Sequence, residues 1–140
     1  MPDVTIIEGE LAHKILGAAM KVHRVLGPGL LEKVYENALV IELRNLGLHV
    51  DQQLEIQVPY EGHIVGTYTP DLFVERRVIV DTKTVKGIGD DERAKMIHYV
   101  RIAKCALGLT INFAKASLEY ERILHPNART MYEQNRGSES

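Results

Sequence analysis

Apolar residues recur every three or four positions over residues 10–26. Leu11, Ile15, Ala18, Val22, Val25 and Leu26 fall on one side, with Lys14, Lys21 and Arg24 on the other. This is the spacing of an amphipathic helix, preceded by a short lead-in over residues 1–9. His13 and His23 lie off the apolar stripe and read as solvated. Gly27-Pro28-Gly29 breaks the pattern, because proline lacks the N–H that a helix interior needs. A second helix is predicted over residues 30–46, closed by Gly47. Its apolar arc of Leu31, Val34, Tyr35, Ala38, Leu39, Ile41, Leu43 and Leu46 is wide enough to predict cover on more than one side. Two acids border it. Glu32 lies at the edge and Glu42 points more centrally, so periodicity alone singles out Glu42, while the plain reading of either is a packed stem with its carboxylate in water.

The period then changes to two. Val50, Gln52, Leu54, Ile56, Val58 and Tyr60 alternate with polar residues as one strand face. Glu61-Gly62 turns the chain, and residues 64–69 run back. Pro70 cannot donate to a ladder and marks an edge, a bulge or a strand start. Residues 70–83 form two β-branched, apolar runs around a Glu75-Arg76-Arg77 corner, the pattern of a tight hairpin. A joint at residues 84–89 leads to a helix capped by Asp90 or Asp91, with Met96, Tyr99, Val100, Ala103 and Leu107 buried and Gly108 as its end. Strands are predicted over residues 109–113 and 118–124, and a flexible polar tail over 126–140. The element order is thus helix, helix, three strands, helix, two strands. It describes one α/β (α+β) domain over residues 1–140, core 10–125, with a mixed central sheet flanked by helices.

Composition narrows the class. The chain has 140 residues, 45% hydrophobic and 26% charged, with a formal charge of −2. These are the values of an ordinary globular domain with no general attraction to nucleic acid, so such binding would need a local basic patch or a metal bridge. Cys105 is the sole cysteine and reads as a buried thiol at the apolar end of a helix. The six histidines are scattered with no close metal-ligand spacing, which argues against a Cys/His zinc site. No signal-peptide pattern and no membrane-spanning apolar run is present, so a cytoplasmic location is expected.

The hairpin carries the chemistry. Asp71 and Asp81 are equally far from Arg76, so a turn centred there sets the two acids opposite one another, with Lys83 on the same face as Asp81. Opposed like charges among apolar residues need a counter-charge, which a divalent cation held by oxygen ligands supplies. A register slipped by one residue would instead leave the acids solvated, and no glycine fixes the turn.

Pro70-Asp71, followed ten positions later by Asp81-Thr82-Lys83, resembles the PD-(D/E)xK nuclease motif. Gly29-Leu30-Leu31-Glu32-Lys33-Val34-Tyr35, followed by Glu36-Asn37-Ala38-Leu39, resembles the signature of the GxxExxY family, which is placed in the same superfamily. The likeness runs over residues 15–123. It implies a restriction-endonuclease-like fold and a metal-dependent nuclease acting on nucleic acid, with DNA the expected substrate. It carries over Glu32, Asp71, Asp81 and Lys83 as the site and favours Glu32 over Glu42. Glu32, Asp71, Asp81 and the Thr82 carbonyl would hold Mg2+ or Mn2+, with Lys83 orienting or activating the attacking water. Tyr35, Lys86, Arg93 and Lys95 are candidate phosphate contacts, although Tyr35 reads equally as a core residue. Lys95 stands where relatives commonly have glutamine, as expected either of a substitute phosphate contact or of a site that has drifted from catalysis. At this size, sequence specificity would require a homodimer or a partner protein. The alternative is a nuclease-fold binding module without turnover.

Overall fold

The computed structural model describes residues 6–137. Its helices are α1 (Gly9–Leu26), α2 (Glu32–Asn45), α3 (Asp90–Ala103) and α4 (Ala128–Gly137). Its strands are β1 (Val50–Gln52), β2 (Ile56–Tyr60), β3 (His63–Tyr68), β4 (Leu72–Val74), β5 (Val78–Lys83), β6 (Leu107–Asn112) and β7 (Glu119–Leu124). A five-stranded sheet runs β1-β4-β5-β6-β7, and β2-β3 form a separate hairpin. Within the large sheet, β5 and β6 are parallel, joined by α3 as the crossover, and the other pairs are antiparallel.

Strand alternation sorts the core into two layers. Leu72, Val74, Val78, Val80, Leu107, Leu109 and Ile111 face α1 and α2, where they meet Ile15, Ala19, Leu39 and Leu43. Phe73 and Ile79 face the other way and pack with Met96, Tyr99 and Val100 of α3. The mixed sheet between helices is the predicted fold class. A Cβ added to Gly108 would fall 2.3 Å from Met96 Sδ and 3.0 Å from Val100 Cγ1, so α3 rests on β6 where a side chain is missing.

Several predicted elements are redrawn. The strand expected over 50–60 is broken at Gln53, whose φ is 57°, and its halves join different sheets. Five strands lie between α2 and α3 where the expected element order had three, because the 70–83 hairpin contributes two strands and the 50–60 strand is split in two. The wide arc of α2 is only partly used: Tyr35, Leu39 and Leu43 are buried, while Leu31, Val34, Ile41 and Leu46 remain exposed. Gly108 does not end the helix. α3 stops at Ala103, Lys104 takes a left-handed φ of 55°, buried Cys105 lies in the connector, and Gly108 belongs to β6. Gly89, rather than Asp90 or Asp91, is the N-cap residue of α3.

The ends of the described chain are also more ordered than expected. Glu8 is buried and pairs with Arg77 at the hairpin corner, while Arg122 donates to the Ile7 carbonyl at 2.7 Å. Part of the lead-in is thereby fastened to the fold. In the supposed flexible tail, α4 buries Ala128 and Tyr132 against Ala106 and Ile7, a helix too short and polar for periodicity to reveal. Residues 1–5 of the expected lead-in and 138–140 of the expected tail lie outside the described residues.

Candidate active site

The β4–β5 register pairs Leu72 with Val80, Phe73 with Ile79 and Val74 with Val78. Extended by one position, it sets Asp71 opposite Asp81. The turn needs no glycine, although Glu75 and Arg76 have φ of 54° and 52°. The Glu75 N–H donates to the His49 carbonyl at 2.8 Å, and its carboxylate accepts the His49 N–H at 2.6 Å. Arg76 pairs with Asp51 of β1. Contacts from His49 and from Asp51 of β1 thus hold a left-handed turn that local sequence disfavours.

Pro70 precedes the ladder, and Asp71 leaves it. One Asp71 carboxylate oxygen accepts the Thr82 N–H at 2.8 Å and the Thr82 hydroxyl at 2.9 Å. Its other oxygen accepts the Gln53 amide at 3.2 Å, and the Asp71 carbonyl accepts the Gln53 N–H at 2.9 Å. The same Gln53 amide reaches Glu36 at 3.0 Å, and Gln52 reaches Glu36 at 2.7 Å. The break at Gln53 therefore places two backbone-adjacent groups on Asp71.

On β5, Asp81 and Lys83 follow Ile79 toward the α3 side by alternation. Asp81 is 5% exposed, and its carboxylate lies 3.1 Å from Lys83 Nζ. Burial raises the Asp71 carboxyl above its ordinary pKa, and the Asp81 charge raises it further. Glu32 is raised by burial, opposed by Lys83 and reinforced by Asp71. Glu32, at the start of α2, thus feels the charges of Asp71 and Lys83. Glu42 is elsewhere, 3.0 Å from Lys21 of α1.

The α3 side contributes two more groups. Burial, then the charges of Asp81 and Asp71, push the Tyr99 hydroxyl up to about 12. Tyr68 meets the Tyr99 ring edge-on at 5.3 Å, and Lys95 Nζ lies 5.5 Å from its centroid. Lys95 also acts on Glu32, lowering its pKa. Lys86 is exposed in the β5–α3 connector.

Two of the candidate phosphate contacts have partners within the protein, Tyr35 according to its core reading. Tyr35 is fully buried, stacks on Phe113 at 4.7 Å, and its hydroxyl donates to the Gly27 carbonyl while accepting the Leu30 N–H. It secures the α1–α2 loop and has no hydroxyl to offer a phosphate. Arg93 is engaged by both Glu121 carboxylate oxygens at 2.7 Å and by Asp90 at 2.8 Å.

Three contributors escaped the sequence reading. Glu36 stands one turn below Glu32, the i+4 signal that could have exposed it. Gln53 gave no local warning of its left-handed backbone. Asn112 is fully buried, accepts the Val85 N–H at 3.1 Å and donates to the Val85 carbonyl at 2.8 Å. It clamps the chain just after Lys83.

The donors of Asp71 and Asp81 are hard oxygens bearing facing negative charges, which suits a divalent cation. Among the described residues, no group of three His, Cys, Asp or Glu side chains is assembled for a metal. The ready donor set is therefore two carboxylates on β4–β5, with Glu32 beside them rather than joined to them.

A mixed sheet between helices, with acids facing across the ends of two central strands, defines a restriction-endonuclease-like protein. The family model described as the PD-(D/E)XK nuclease superfamily matches residues 9–123, and the chain belongs to that superfamily. Its members are generally dependent on divalent metal ions. Among solved structures, SSO0001 is similar at 13% identity and a TM-score of 0.54, covering 94% of this chain and 65% of that one. This chain thus spans just under two thirds of that protein, and the likeness is one of fold. The phage related exonuclease from Haemophilus somnus 129PT is similar at 14% identity and a TM-score of 0.45, covering 100% of this chain and 92% of that one. No curated protein matches. No helix among the described residues is long and apolar enough to cross a membrane.

Proposed function

We propose that this protein is a GxxExxY-type nuclease that hydrolyses phosphodiester bonds in DNA with Mg2+ or Mn2+. The observation that carries this reading is the facing Asp71–Asp81 pair, with Asp81 buried, Asp71 half-buried and Lys83 beside Asp81. Asp71 and Asp81 would hold the ion, with the Thr82 carbonyl and Glu32 completing its surroundings. When bound, the ion neutralises the carboxylates and polarises a phosphoryl oxygen. Three hydrogen bonds orient the Asp71 carboxylate, two from Thr82 and one from the Gln53 amide, and a fourth, from the Gln53 N–H, holds the Asp71 backbone carbonyl. Lys83 orients the attacking water and stabilises negative charge developing on the phosphoryl oxygens. Lys95 and Lys86 offer cations to the flanking phosphates.

Oligonucleotide cleavage with Mn2+ or Mg2+ tests the proposal. Cleavage by the wild type, abolished by Asp81→Ala and by Lys83→Ala, is expected. Activity that survives either change removes these roles.

The second reading is a binding module without turnover. It draws on the absence of a ready three-acid cluster among the described residues and on the lysine at position 95. Calorimetry separates the two. A protein that takes up no Mn2+, and whose stability Asp71→Asn leaves unchanged, belongs to the second.

A further inference from the structure

The β2–β3 hairpin stands apart from the main sheet, and its two edges differ. β2 carries Pro59 and a register shift at Val58/Pro59, and α3 packs beside it. Proline and bulges are devices that keep an edge from pairing. β3 has neither. Its sequence His-Ile-Val-Gly-Thr-Tyr contains no Lys, Arg, Asp or Glu, and His63 to Thr67 are all exposed. Ile64 is 56% exposed and Val65 60%, and they point to opposite faces.

We propose that β3 pairs antiparallel with β3 of a second copy of this chain, forming a four-stranded β2-β3-β3-β2 sheet across a two-fold axis near Val65. The strand is self-complementary about that residue. Val65 meets Val65, and Ile64 of each copy lies opposite Gly66 of the other, a branched side chain against an empty position. His63 faces Thr67, and no like charges are opposed. Such an isologous contact closes on itself as a dimer. A nucleic-acid backbone is disfavoured because residues 50–75 contain no Lys or Arg while holding Asp51, Glu55, Glu61, Asp71 and Glu75, whereas the uncharged, self-complementary β3 fits a second copy. The hairpin begins beyond Gln53, which holds Asp71, and ends at Tyr68, which meets the Tyr99 ring.

Sedimentation equilibrium of the full chain at micromolar concentration tests this. The wild type is expected to be a dimer, and Val65→Lys, on an exposed position, should raise its dissociation constant about tenfold or more with an unchanged circular dichroism spectrum. Because Cys105 is the only cysteine and is buried, Val65→Cys supplies a single accessible thiol. Mild oxidation should link it into a covalent dimer. A monomeric wild type overturns the proposal, as does a dimer that Val65→Lys leaves intact and Val65→Cys fails to link. A monomer whose oligonucleotide binding Val65→Lys alters assigns the hairpin to nucleic acid instead. None of these readouts depends on catalysis.

Discussion

Asp71 holds Thr82 as a neighbouring strand would, accepting both its backbone N–H and its hydroxyl on one carboxylate oxygen. The sheet is thus finished by a side chain where Pro70 prevents the ladder from continuing. The two hydrogen bonds to this charged group restrict where the carboxylate points.

Thr82→Val removes the hydroxyl while keeping the shape. A bond to a charged group contributes about 1.5–3 kcal/mol, and a loss of that size is expected in urea unfolding. Thr82→Ser deletes only a methyl and should cost about 0.8 kcal/mol. Equal losses for the two variants would show that the hydroxyl does not anchor Asp71.

The facing carboxylates should make metal a stabiliser of the fold. Mn2+ is expected to raise the melting temperature of the wild type, by RT ln(1 + [L]/Kd) in free energy. Asp71→Asn should be more stable than the wild type without metal and respond less to Mn2+. Scanning calorimetry with and without chelator measures both.

Tyr35→Phe keeps the stack on Phe113 and deletes only the hydroxyl between Gly27 and Leu30. Its expected cost is about 1–3 kcal/mol of stability, from a buried pair left unsatisfied. Under conditions where both proteins are folded, the KM for an oligonucleotide should be unchanged. A raised KM would return Tyr35 to the substrate.

Gly108→Ala places a Cβ 2.3 Å from Met96 Sδ and 2.6 Å from Met96 Cγ. Overpacking of this kind costs about 1–3 kcal/mol. Met96→Ala should cost less in the Gly108→Ala chain than in the wild type, because it removes the clash as well as the packing. Guanidinium unfolding of the single and double variants checks the contact between α3 and β6.

Burial pushes the Cys105 thiol from 9.0 to about 12. Because the folded value is the higher one, the unfolded chain ionises first and stability should fall as pH rises from about 9 toward 12. Cys105→Ala should flatten that part of the stability profile. In the native protein at pH 8, the thiol should resist an aromatic disulfide reagent until denaturant is added.

The parts legible in the sequence were those with a period or a symmetry. α1 followed from its stripe, and the hairpin register followed from the equal distance of Asp71 and Asp81 from Arg76. The family resemblance preferred Glu32 to Glu42, and the structure pairs Glu42 with Lys21 instead. What stayed hidden depended on partners far along the chain. Gln53 breaks a well-alternating strand because it meets Asp71 and Glu36. Tyr35 looked available until Gly27 and Leu30 were seen to use its hydroxyl. Arg93 looked like a free cation until β7 brought Glu121 to it. The helix after Pro126 is polar and becomes recognisable only through the surface that receives Tyr132.

The antiparallel hairpin and the parallel β5–β6 pair close loops of very different length. Asp71 and Asp81 meet through a turn of a few residues, whereas β5 and β6 meet only after the whole α3 crossover is in place. Short closures form first in a folding chain. The two carboxylates are therefore expected to confront each other before the helix that covers them has docked, so their repulsion bears on the speed of folding as well as on its end point.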